Sequence, residues 1–171
     1  MVLRKAFLFS SMTIALVVLS PAASGAAATL QRPVVGLGQG TQTISLLTGA
    51  GTGANHGFLL GIGFFTGSGT STFALTGPNT YSVTGTGTLI TANGEVFLAS
   101  SGTGTLPGTT SGTTSQTSTT VDTITGGTGR FAGASGQLTI YARITSVSIV
   151  GSTETITTVG FWVGSISYLG R

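Results

Sequence analysis

Thr123-Ile124-Thr125-Gly126-Gly127-Thr128-Gly129-Arg130-Phe131-Ala132-Gly133-Ala134-Ser135-Gly136-Gln137-Leu138-Thr139-Ile140 decides how this chain is read. A strand-like run enters the stretch and another leaves it. Between them stand Gly126, Gly127, Gly129, Gly133 and Gly136, around one aromatic, Phe131. Glycine at that density marks backbone with positive φ, or backbone packed close against other backbone. A buried Phe131 would then fix how the turn folds down onto a sheet.

The runs on either side have the same character. Stretches rich in β-branched and aromatic residues alternate with Gly-rich breaks. Strands are predicted near Gln42–Leu47, His56–Phe65, Ser71–Leu75, Tyr81–Ile90, Val96–Thr105, Thr117–Thr125, Gln137–Val150 and Thr153–Tyr168. Residues 29–40, with Pro33, read as an extended lead-in, and Leu106–Gln116 as a polar loop. In Gln137–Val150, Leu138, Ile140, Ala142 and Ile144 share one face, and Thr139, Tyr141, Arg143 and Thr145 the other. Both faces of Thr153–Tyr168 carry apolar groups, so that strand is expected to be covered twice or to lie at a subunit contact. Gly151-Ser152 between the last two runs reads as a hairpin turn. The Thr-Gly pairs in Thr84–Thr88 and Ser101–Thr105 would let a sheet bend, or let bulky residues opposite fill its interior. Eight meandering strands without helices predict an all-β fold, an eight-stranded antiparallel barrel, since closure removes exposed edges.

Composition agrees. Of 171 residues, 5% are charged and 40% hydrophobic. Average soluble domains are about a quarter charged, and disordered chains are poor in apolar residues. A length of this order suits one domain with a sizeable core. The formal charge of +3 includes Arg4 and Lys5 of the N-terminal segment. Without them, Arg32, Arg130, Arg143 and Arg171 face Glu95, Asp122 and Glu154, a net of +1. Four scattered arginines do not make a phosphate-binding surface, so nucleic acid is not an expected partner. No cysteine is present, which excludes disulfides, thiolate catalysis and thiolate metal sites.

The N-terminus reads as an address. Arg4-Lys5 precedes an apolar run from Ala6 to Leu19, and small residues follow over Ser20–Ala28. This is the layout of a secretory signal peptide, helical in its apolar part and cleaved within Ala23–Ala28. The expected organisation is therefore a signal peptide over 1–28, the lead-in over 29–40 and a barrel domain over 41–171. The mature chain would be secreted, periplasmic or on the cell surface. It would carry no transmembrane anchor, since glycine, serine or threonine interrupts every later apolar run. A membrane-spanning barrel is disfavoured by the scarcity of aromatic girdles and the lack of a terminal aromatic.

Ile124–Leu138 resembles the Ile-Thr-Gly-Gly-x-Gly-x-Phe-x-Gly-Ala-x-Gly motif of the allene oxide cyclase barrel family, with a looser likeness to plant dirigent proteins. The strong match covers the motif alone. The resemblance implies an eight-stranded antiparallel barrel, often trimeric, with an apolar lumen. In the cyclases a lumen carboxylate, an asparagine holding a water and aromatic residues act on an unstable fatty-acid epoxide. The segment supplying that carboxylate has no counterpart here, because no Asp or Glu precedes Glu95. No catalytic residue is carried over.

The chemistry-bearing residues are few. His56 is the only histidine and lacks partners for a metal site or a catalytic relay. Glu95 follows the hairpin dipeptide Asn93-Gly94 and is expected in solvent. Glu154 reads as a solvated strand end. Asp122 lies inside a strand; it would pair with Arg130 or Arg143, face solvent, or sit in the lumen with a raised pKa. No nucleophile elbow or phosphate loop is present. The phenylalanines and Trp162 read as core, some of them able to line a pocket. The reading is thus a non-catalytic structural or binding module, for an apolar small molecule and as a homo-oligomer, without metal or cofactor. The alternative is a cyclase or isomerase on an apolar, oxylipin-like substrate, with Asp122 as the acid and Tyr141 as a donor.

Overall fold

The computed structural model describes residues 29–78, 80–105 and 117–169, so the expected signal peptide and the Leu106–Gln116 loop lie outside the described residues. Eight strands follow in order: β1 Thr29–Ser45, β2 Ala50–Leu59, β3 Gly63–Gly77, β4 Thr80–Thr91, β5 Gly94–Thr105, β6 Thr117–Gly127, β7 Ser135–Val150 and β8 Thr153–Leu169. Each pairs antiparallel with the next, and β8 returns to β1, closing the barrel. The closing ladder runs from Thr29↔Leu169 to Ser45↔Thr153.

Residues 29–40 are not a separate lead-in; they form most of β1. Pro33 sits where β1 pairs with β8 alone, since pairing with β2 begins at Gly36↔Leu59. A missing N–H costs least where one side of a strand has no partner. The expected strand His56–Phe65 is two strands, broken at Leu60–Ile62, where Gly61 takes φ +88°, and its second part is continuous with the expected Ser71–Leu75 in β3. The Gly151-Ser152 hairpin joins β7 to β8 as expected.

The corner around Phe131 joins β6 to β7. Gly129 and Gly136 take φ of +56° and +142°, and a Cβ on Gly136 would stand 2.2 Å from the Ser165 carbonyl oxygen. Side chains are thus excluded there both by conformation and by space. A 3₁₀ turn over Gly129–Phe131 points Phe131 into one end of the barrel, at 0% exposure. Its ring meets Tyr168 edge-on at 5.4 Å. The corner is also tied to the β4–β5 hairpin: Arg130 N–H donates to Asn93 O at 2.9 Å, and Thr128 N–H to Glu95 O at 3.0 Å.

Period two sends alternate residues inward. Val34, Leu59, Phe65, Leu89, Leu98, Leu138, Trp162 and Ile166 join Phe131 and Tyr168 in one apolar layer that fills that end. Ile44, Ile144, Val147 and Ile156, with Phe73, make a smaller layer toward the other end. In β7 the inward parity changes at a bulge between Ile144 and Ser146, so Val147 follows Ile144 inward. Outward positions of β3 and β4 are largely threonine, such as Thr70, Thr84 and Thr86, and β8 begins in the same way with Thr155 and Thr157.

Phe131→Ala is expected to lower the unfolding free energy by about 3–5 kcal/mol, the usual cost of emptying a buried aromatic site. Phe64→Ala, on a side chain 80% exposed, should change it by no more than about 0.5 kcal/mol. Urea unfolding of the two variants measures both; equal effects would refute the role given to the corner.

Candidate functional site

Between the two apolar layers the lumen is not filled. Gly38 and Gly40 of β1, Gly53 of β2, Gly69 of β3, Gly85 and Gly87 of β4 and Gly160 of β8 line a cavity of about 220 Å³. The Thr-Gly alternation therefore puts threonine outside and nothing inside along this level. Between β4 and β5, where Tyr81 pairs with Gly104, the other expectation holds. A Cβ on Gly104 would stand 2.4 Å from the Tyr81 hydroxyl, so Tyr81 occupies the room which that glycine leaves.

Polar groups face the same space: Gln42, Asn55, Ser71, Ser100, Ser118, Thr120, Asp122 and Thr158, with Phe73, Tyr81 and Trp162 among them. Several satisfy one another. Gln42 Nε2 donates to Ser71 Oγ at 2.9 Å. Ser118 hydrogen-bonds Tyr81, and Ser100 hydrogen-bonds Asp122 from the neighbouring strand, its direct register partner. Two buried oxygens lack a protein partner: Asn55 Oδ1 and Asp122 Oδ1. Asn55 Oδ1 packs against Gly67; buried acceptors are rarely left unpaired, so the Asp122 oxygen marks a place where a donor belongs.

Asp122 is 3% exposed. Of the three environments open to it in the sequence, the structure selects the lumen. Burial raises its pKa from the ordinary 3.8 to about 6, partly opposed by the Ser100 hydrogen bond. Neither arginine is its partner. Arg130 donates through Nη2 to the Tyr168 hydroxyl and lies over the Tyr168 ring at 5.0 Å. Arg143 projects outward, opposite Val159 and Thr117.

The other expected residues fall elsewhere. Tyr141 is 53% exposed on the outer wall, between Phe161 and Thr119 in register. It cannot share a site with Asp122, which faces the opposite side of the sheet. Glu154 is not a solvated end: it is 6% exposed, and burial raises its pKa. Its charge also helps raise the pKa of Tyr81, after burial of that ring. Glu95 is half-buried, with its N–H donating to Thr128 Oγ1 at 3.1 Å. His56 is on the outside, 2.7 Å from the Gln39 amide nitrogen. The geometry adds Asn55 and Tyr81 to the lumen. Their inward parity with Leu59 and Leu89 was the available signal, but it needed the turn at Leu60–Ile62 and the ladder registers.

No family model, no curated protein and no solved structure matches the chain. Among the described residues, no cluster of three or more metal-ligating side chains occurs, and no helix is long and apolar enough to cross a membrane.

A group whose folded pKa is raised binds more protons folded than unfolded, so stability falls as pH rises through the window between the two values. For Asp122 that window runs from about pH 4 to about pH 6. The span corresponds to about 3 kcal/mol at most. Asp122→Asn should therefore gain stability relative to the parent above pH 6 and lose that advantage below pH 4. Denaturant titrations at pH 3.5 and pH 7.5 measure it; a difference independent of pH would contradict the burial of this carboxyl.

Proposed function

We propose that this chain is an exported barrel of the allene oxide cyclase type that binds a small molecule in its lumen. The observation that carries the reading is the 220 Å³ cavity lined by glycines, with Asp122, a buried carboxyl whose Oδ1 has no protein partner, in its wall. Small barrels that are cores fill this space with side chains; here glycines vacate it. The lining supplies aromatic faces from Phe73, Tyr81 and Trp162 for an apolar body, and acceptors to orient it. The glycine corner and the eight-strand closure support the kinship. The charged N-terminus, apolar run and small-residue stretch over residues 4–28 support export.

Binding is preferred to catalysis for a geometric reason. A carboxyl with a pKa near 6 suits general acid–base work, but the tyrosine expected to assist it stands on the outer wall. An oxylipin-like substrate would also bring a carboxylate into a lumen lined by no lysine, arginine or histidine.

The outer wall supports a homo-oligomer. Tyr141, Phe161, Leu37, Phe58 and Phe64 are successive register partners across β7, β8, β1, β2 and β3. All are exposed, Leu37 at 67%. The ridge carries no carboxylate, lysine or arginine, so two copies meet on it without opposed charges. Contiguous exposed apolar surface of this kind marks association sites.

Two experiments test these readings. A Gly53→Ala, Gly87→Ala, Gly160→Ala triple variant adds three methyl groups whose Cβ atoms come no nearer than 3.3 Å to a neighbour. It should fold, and it should lose binding of benzyl alcohol, followed by ligand-observed NMR; unchanged binding would place the ligand outside the lumen. Leu37→Asp with Phe64→Asp should convert an oligomer into a monomer in sedimentation equilibrium. A parent that is already monomeric at its highest soluble concentration ends the oligomer reading.

A further inference from the structure

Resting on the lumen-binding reading, we propose that the ligand is a small organic ammonium, held by Asp122, and that carboxylates are excluded. Asp122 lines the cavity, and its Oδ1 is an acceptor without a donor. An ammonium carries N–H donors and a positive charge, and so supplies this oxygen with both a hydrogen bond and a counter-charge. An ionised carboxylate held by one serine hydroxyl is poorly compensated for its lost water, and a cation restores that compensation.

The rest of the lumen has the same sign. The other titratable groups turned inward beside this level are Tyr81 on β4 and Glu154 on β8, and each is negative when ionised. On the strands flanking Asp122, β5 contributes Ser100 and β7 contributes Leu138. The cations of the described residues lie elsewhere. Arg143 is outside. Arg32 and Arg130 lie against the Tyr168 ring at 5.5 and 5.0 Å, at the end capped by Phe131 and behind the apolar layer of Val34, Leu59 and Trp162. His56, bonded to Gln39, is on the outer wall. The aromatic faces that line the cavity also attract a cation. The volume sets the size. At about 220 Å³ the cavity is below the roughly 300–1,000 Å³ of drug-sized sites, so it suits a single ring or short chain bearing the ammonium.

Benzylamine, benzyl alcohol and benzoate share one framework and differ in charge, and titrating each into the mature protein at pH 7.5 tests the inference. Benzylamine should bind at least about tenfold more tightly than benzyl alcohol, the scale of one charge-assisted hydrogen bond, and benzoate should not bind. Benzylamine affinity should fall about tenfold per pH unit below about pH 6 as Asp122 takes up its proton, while benzyl alcohol affinity should stay level. The pH arm needs no substitution. Asp122→Asn should erase the preference for the amine over the alcohol. Benzoate binding as well as benzylamine, or an amine preference that survives Asp122→Asn, overturns the charge assignment. Benzyl alcohol binding without any charge preference overturns it too, while the lumen reading stands. If none of the three binds, both fall.

Discussion

The ladder between β1 and β8 is the contact on which everything else depends. It is long, running the full length of both strands. It also turns a twisted sheet with two hydrogen-bonding edges into a cylinder with none. Without it, the first and last strands would each present a row of unpaired N–H and C=O groups. With it, inside and outside become distinct, and the alternation of side chains along each strand becomes an alternation of environments. Burial of Asp122, exposure of Tyr141 and the apolar ridge on the outer wall are three results of that one closure.

Given closure, the use of the interior is set by residue size. An eight-stranded barrel is just wide enough for side chains to fill. At the end capped by Phe131 they do, with Tyr168, Trp162, Leu138 and Ile166 interdigitating. At mid-height the inward positions are glycine on five strands, and a cavity results. Some of these glycines are demanded by backbone approach: a Cβ on Gly85 would stand 2.3 Å from the Thr70 carbonyl oxygen. Others are not, since a Cβ on Gly53 would meet nothing nearer than 3.6 Å. The second kind bears on function, because sterics alone do not explain it.

The sequence carried the architecture further than the site. Eight strands, the corner at Phe131 and the hairpin at Gly151-Ser152 were legible because each has a local chemical signature. The full extent of β1 was not, because Pro33 and the alternating glycines of residues 36–40 look like loop until their neighbours are known. The break at Leu60–Ile62 was hidden inside a continuous apolar run. Glu154 looked like a strand end in sequence, but its partner Ile44 lies inside the barrel wall. Alternation in β7 did place Tyr141 opposite Leu138. What it lacked was the register, in which Leu138 stands beside Asp122; that fact separates the two candidate residues, and it depends on a ladder between strands rather than on either strand alone.

Because the seam joins the earliest described strand to the latest, the interior has no existence in a partly made chain. Seven strands would form a curved, open trough with its glycine-lined floor in water. Only docking of β8, after the Gly151-Ser152 turn, would convert the trough into a chamber. Such long-range pairing is slow compared with local helix formation. The chamber therefore belongs only to a chain in which β8 has docked against β1.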